Sequence, residues 1–179
     1  MFFRALLLTA VLVSPVLARA QLGIAAGGKD AADQSPSQSI EALAAGIEHE
    51  HALALSKRLW ESGRKVDAVF FFYLGQLRYR AYLSANPNGD PSGGRALFDA
   101  LMSTMGPPIN QYAFGDIQAL VATIDRVIAW DDGHADDFAT RKAREDVKTG
   151  LKKMRDDVIT RQDEIRRTRS QNGLPNRSP

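Results

Sequence analysis

The chain has 179 residues and not one cysteine. That excludes disulfides, thiol nucleophiles, cysteine-ligated metals and anchoring through a lipidated N-terminal cysteine. Stability must come from packing instead. No stretch alternates apolar and polar residues with a sustained period of two, so no sheet is expected. Beyond residue 20, no apolar run approaches the ~20 residues that span a bilayer. Phosphate-binding and hydrolase signatures are missing too. The glycine-rich segment around Gly93-Gly94 has no strand before it and no Lys-Ser/Thr after it, so it is not a phosphate cradle. No G-x-S-x-G occurs anywhere.

What is present begins with an export pattern. Arg4 precedes an apolar run from Ala5 to Leu17, and Ala18-Arg19-Ala20 follows as an A-x-A cleavage site. Residues 1–20 are therefore expected to be a signal peptide, cut before Gln21. A membrane anchor fits less well, because the run is short and Pro15 interrupts it. The mature protein is expected in the periplasm, with full secretion as the alternative. Residues 21–38 are rich in Gly, Ala, Ser and Asp and form an expected flexible leader.

Charge is unevenly spread over the mature part. Residues 21–137 carry 9 Lys/Arg against 15 Asp/Glu, and residues 138–179 carry 12 against 6. The pI near 9.0 thus reflects a basic end on an acidic body, and not a basic nucleic-acid-binding surface. The basic end also carries an apolar stripe. It is expected to dock on its own chain, with an anionic lipid surface as the alternative partner.

Apolar spacing predicts an all-α domain over 39–172, a single bundle of about five helices. The first helix runs from 40 to 61, after Ser39 as N-cap, and stops at Gly63. The second, from 65 to 85, is apolar on nearly every side and belongs in the centre of the bundle. A turn-rich segment, 86–94, follows. The third helix spans 95–105 and is expected to end at Gly106-Pro107-Pro108. Asp116 caps a fourth that ends near Trp130. The fifth is long, 140–170, with a stripe of Val147, Leu151, Met154, Val158 and Ile165, and Asp136 or Asp137 is its expected cap. Asn172-Gly173 stops it, and 173–179 is expected to be a disordered tail.

Leu59-Trp60-Glu61-Ser62-Gly63, Asp67-Ala68 and Phe72-Tyr73 sit at the spacings of one helical hairpin of the tetratricopeptide or Sel1 type. The stretch 53–81 resembles such a repeat, departing from it at Ser56, where the family often has Gly or Ala, at Gly75, where Ala is usual, and in its closing proline, whose place is near Arg80 while the first one here is Pro87. The resemblance implies two closely packed helices and a protein-binding surface. It implies no catalytic residue, and no second copy is present.

Three clusters carry candidate chemistry. Glu48 and His51, three apart, share one helical face, and Asp131 and His134 form a partial second Glu-x-x-His-like pair. Together they are the candidate metal ligands. Against this, His51 falls on an apolar stripe, and the acidic turn 131–137 lacks the order of a calcium loop. No cofactor is expected. The third cluster is loop and helix-end material containing Gln76, Arg78, Tyr79, Arg80, Arg95 and Tyr112, residue types enriched where proteins recognise one another. The leading expectation is a non-enzymatic module that binds another envelope protein, such as an inhibitor or immunity-type protein. A metal-dependent protein and a lipid-binding one are the alternatives. No nucleic-acid partner is expected.

Overall fold

A computed structural model describes residues 49–89, 91–134 and 137–178. The expected signal peptide, the leader, Ser39 and Glu48 lie outside these residues, as do Asp90, Ala135 and Asp136. The described part is all-α, with six helices: α1 (His49–Glu61), α2 (Lys65–Ala85), α3 (Ala96–Ala113), α4 (Ile117–Gly133), α5 (Arg141–Thr160) and α6 (Gln162–Gln171). None of them is long and apolar enough to cross a membrane.

Helix α2 is the axis of the bundle. Every residue from Ala68 to Tyr79 is buried, and so is Ala81. A helix apolar on all sides needs neighbours all round, and α1, α3, α4 and α5 each pack on it. Phe70, Phe71 and Phe72 point to different sides, and all three are almost fully enclosed. This explains why a four-residue aromatic run does not create a sticky surface.

The α1–α2 hairpin is closed by three local features. Gly63 adopts a left-handed backbone, φ 86°, which L-residues with a Cβ avoid. Ser56 Oγ donates to the Ala68 carbonyl at 2.8 Å within the helix interface. At Gly75 the helices come so close that a Cβ would lie 2.7 Å from Leu53 Cγ and 3.1 Å from its backbone nitrogen. Gly63→Ala adds a methyl with nothing within 4 Å, so its cost is backbone alone. A loss of about 1 kcal/mol is expected, read as an earlier midpoint in urea unfolding.

Helix α3 runs further than its sequence suggests. Pro107 and Pro108, expected to end it, lie inside it. They are exposed, as are Ser103 and Thr104, whose carbonyls lose their usual N–H partners. Water can serve those carbonyls there. On the opposite side Met105, Gly106, Ile109 and Ala113 stay buried and keep the helix on course.

The long C-terminal helix is in fact two. The chain breaks at Arg161 (φ −106°, ψ 18°), although hydrogen bonds bridge the break from Arg161 N to Asp157 O and from Ile165 N to Arg161 O. The change of direction carries Arg169 to the end of α3. Its cap also differs: Thr140, not Asp137, accepts the Ala143 N–H, at 3.1 Å. Helix α5 lies on α2 and α4 and buries Leu151, Met154 and Val158. Its cations meet the acidic body of the same chain, Arg155 on Asp125 at 2.6 Å and Lys148 on Asp131 at 3.8 Å and on Asp132.

Residues 173–178, expected as a disordered tail, instead fold back as a strap. Gly173, φ 69°, terminates α6 with the paired bonds Leu174 N to Arg169 O and Gly173 N to Ser170 O, a Schellman motif. Arg177 N then bonds the Gly115 carbonyl at 2.6 Å.

Candidate functional site

Two clusters concentrate polar chemistry. The first lies inside the bundle, where α2, α4 and α5 meet. The side chains of Arg78, Asp131 and Lys148 are 4%, 1% and 6% exposed. Arg78 Nε bonds Asp131 Oδ1 at 3.3 Å, and its Nη2 donates to the His134 carbonyl at 2.6 Å. The guanidinium also lies 4.6 Å from the centre of the Trp130 ring. His134 stacks on that ring at 4.1 Å with planes 3° apart. Burial pushes the Asp131 carboxyl above the ordinary carboxylate range, and Arg78, Lys148 and Arg144 offset this only in part. Burial pulls the Lys148 ammonium down, but its bonds to Asp132 and Glu145 outweigh it and leave the group raised.

These contacts alter the metal reading. Asp131 faces two buried cations and acts as their counter-ion. His134 turns Nδ1 to the Trp130 carbonyl at 2.8 Å, at the C-terminal end of α4. His51 is exposed on α1. Among the described residues no three His, Asp or Glu side chains gather as a metal would require, and Glu48 is outside them.

The surface reading changes as well. Gln76, Arg78 and Tyr79 are buried, because the end of α2 is wrapped by α3, α4 and α5 instead of projecting from the bundle. Tyr79 donates its hydroxyl to the Gly94 carbonyl at 2.9 Å. Arg80 is half-buried, and burial lowers its guanidinium, with Asp99 opposing. Arg95 is exposed. Of the six candidates, Tyr112 alone sits within a concentration of recognition-type side chains.

That second cluster lies at the surface, where the α1–α2 turn, the end of α3, the start of α4 and the strap converge. The Trp60 and Tyr112 rings meet edge to face at 5.7 Å. Lys65 Nζ lies 5.4 Å from one ring centre and 5.5 Å from the other. The Arg177 guanidinium rests 3.5 Å from the Tyr112 centre and donates to the Tyr112 carbonyl at 2.8 Å. Beneath it Arg169 donates to the carbonyls of Gln111 and Pro175 at 2.9 and 2.8 Å. Two guanidiniums therefore cap the carbonyl end of α3, where the helix dipole favours positive charge. Burial lowers the Arg169 guanidinium, and the neighbouring charge of Arg177 lowers it further. Gly115 makes this possible, since a Cβ there would stand 3.1 Å from both arginines.

Beside Tyr112 and Arg177 the surface dips into a hollow of about 90 Å³, floored by Val66, Val69, Ala113 and Leu120. Val66 is 56% exposed. Asp116 also lines the hollow, with its carboxylate engaged in capping α4 through the Ala119 N–H at 3.0 Å.

Trp60, Lys65 and Arg177 were not among the residues singled out from sequence. Tyr112 lies 47 positions after Lys65 and 65 before Arg177, separations with no local periodic signal; the helix packing brings the first two together, and the fold-back of 173–178 adds Arg177. The one available hint was Trp60 at the end of a helix, next to a turn. Comparison of the chain with protein-family models, curated proteins and solved structures found no match to any of them.

Proposed function

We propose that the chain is an exported helical module that binds another envelope protein through the surface around Tyr112, in the manner of an inhibitor or immunity-type protein. One observation carries this reading. Trp60, Tyr112, Lys65 and Arg177 are held together, partly exposed, and two of them, Tyr112 and Arg177, border a hollow lined mainly by aliphatic side chains. Tryptophan, tyrosine and arginine are the residues most often responsible for binding energy, particularly beside a pocket. Rings already packed and cations already stacked lose little side-chain freedom on binding. The hairpin's resemblance to tetratricopeptide or Sel1 repeats adds a second, looser support. The export pattern of residues 1–20 supports a partner in the envelope.

Site-specific photocrosslinking in cells tests this. A photoreactive residue at Val66 is expected to give one discrete adduct with an envelope protein. The same residue at Lys152, exposed on α5, should give none. The adduct should vanish when Tyr112→Ala is added. Adducts of equal yield from both positions, or none from Val66, would count against the proposal.

A further inference from the structure

We infer that the occupant of this surface is the C-terminal residue of a partner polypeptide, its α-carboxylate on Arg177 and its aliphatic side chain in the hollow beside Tyr112. The inference rests on the protein-binding reading above and adds the chemistry of the partner.

Charge points to a carboxylate. Among the described residues no acidic side chain pairs with Lys65 or Arg177; both are placed by aromatic rings and, for Arg177, by backbone carbonyls. The neighbouring Arg64, by contrast, is already matched with Asp67 at 2.6 Å. The Tyr112 carbonyl takes only part of the donor capacity of Arg177, since a guanidinium has five N–H groups arranged to meet a carboxylate. Its position is fixed from two sides, by the 2.6 Å backbone bond to Gly115 and by the ring beneath it. A cation held this way is preorganised for an anion and loses little freedom on meeting one.

Shape points to an aliphatic group next to that carboxylate. The hollow of about 90 Å³ is smaller than the ~150 Å³ cavity that admits a benzene ring. Val66, Val69, Ala113, Ala119 and Leu120 make most of its lining, beside Thr123 and Asp116, whose carboxylate accepts the Ala119 N–H, and Arg177 itself forms part of the wall. The charge and the apolar group must therefore be immediate neighbours. In a C-terminal leucine or valine they share one Cα. In an internal acidic segment they belong to different residues, and the backbone between them has to find room as well.

Three short peptides decide the matter, each titrated into the isotope-labelled full mature chain and followed by amide NMR. The free acid acetyl-Ala-Ala-Leu is expected to give saturable shifts confined to the residues around the hollow, 66–69, 112–123 and 177, and its C-terminal amide none. Acetyl-Leu-Glu-amide, with an internal carboxylate, should also be silent. Arg177→Gln should weaken the free acid about tenfold or more, as expected for losing a hydrogen bond between charged groups, while leaving the amide spectrum elsewhere unchanged. Equal responses to acid and amide, a matching response to acetyl-Leu-Glu-amide, or no response to any of the three would overturn the inference. If the peptides fail while the Val66 adduct persists, a protein partner remains and only its chemistry is wrong. If the adduct is absent as well, both readings fall.

Discussion

Arg78→Met is expected to lower the unfolding free energy by about 3–5 kcal/mol, the usual cost of stripping one member from a buried ion pair. Methionine keeps most of the apolar stem, so the loss reports charge and hydrogen bonds. Asp131 would lose its closest cation, and the His134 carbonyl would lose a donor. The remaining cation, Lys148, is 3.8 Å from Asp131 and is shared with Asp132 and Glu145.

The deficit should also depend on pH with a definite sign. Asp131 is already raised by burial in the intact protein, and losing Arg78 raises it further. The folded variant then binds a proton at pH values where the unfolded chain does not. Between the ordinary carboxylate value and the raised one, stability from this group grows as pH falls. Urea unfolding of wild type and variant should therefore show the largest gap near neutrality and a narrowing gap towards mild acid. A gap that stays constant or widens on acidification would mean that Asp131 is not the uncompensated group.

The second large effect is expected at Gly75. Gly75→Val places a branched side chain where even a single carbon would meet Leu53 at 2.7 Å. Forcing extra carbon into a packed interior costs about 1–3 kcal/mol, and the backbone nitrogen of Leu53 at 3.1 Å prevents full relief by a rotamer change. Valine regains less than about 1 kcal/mol of the helix propensity that glycine forfeits, so the net change is destabilising. Leu53→Ala alone should cost about 2–5 kcal/mol, and less in the Gly75→Val background, because there it also clears the colliding atoms. The double-mutant cycle should give a favourable coupling of at least about 0.5 kcal/mol. Additive losses would place the tight contact elsewhere.

The all-α class was legible because its signal is local and repeated. Each helix writes its buried side once per turn, and α2, apolar on all sides, already announces its central position. Element ends were less legible where tertiary contacts decide them. Pro107-Pro108 carries a strong stop signal, yet the buried Met105, Ile109 and Ala113 hold α3 straight past it. The break at Arg161 has no glycine or proline to mark it. It follows from where Arg169 must go, and that destination is a set of carbonyls 58 positions away. The same limit explains the surface. Arg78 and Tyr79 have the composition of a recognition patch but are claimed by Asp131 and Gly94 of their own chain. Tyr112 looked similar in sequence and remained at the surface because α3 ends there.

The fold-back of residues 173–178 has a consequence for how the protein could be handled, by a cell or by an experimenter. The guanidinium that completes the Tyr112 surface is delivered by the strap 173–178, held by a few backbone bonds and by the Arg169 side chain on the Pro175 carbonyl. Cleavage after Pro175 would remove Arg177 while sparing every side chain packed around α2. A purification handle fused there would crowd the same spot.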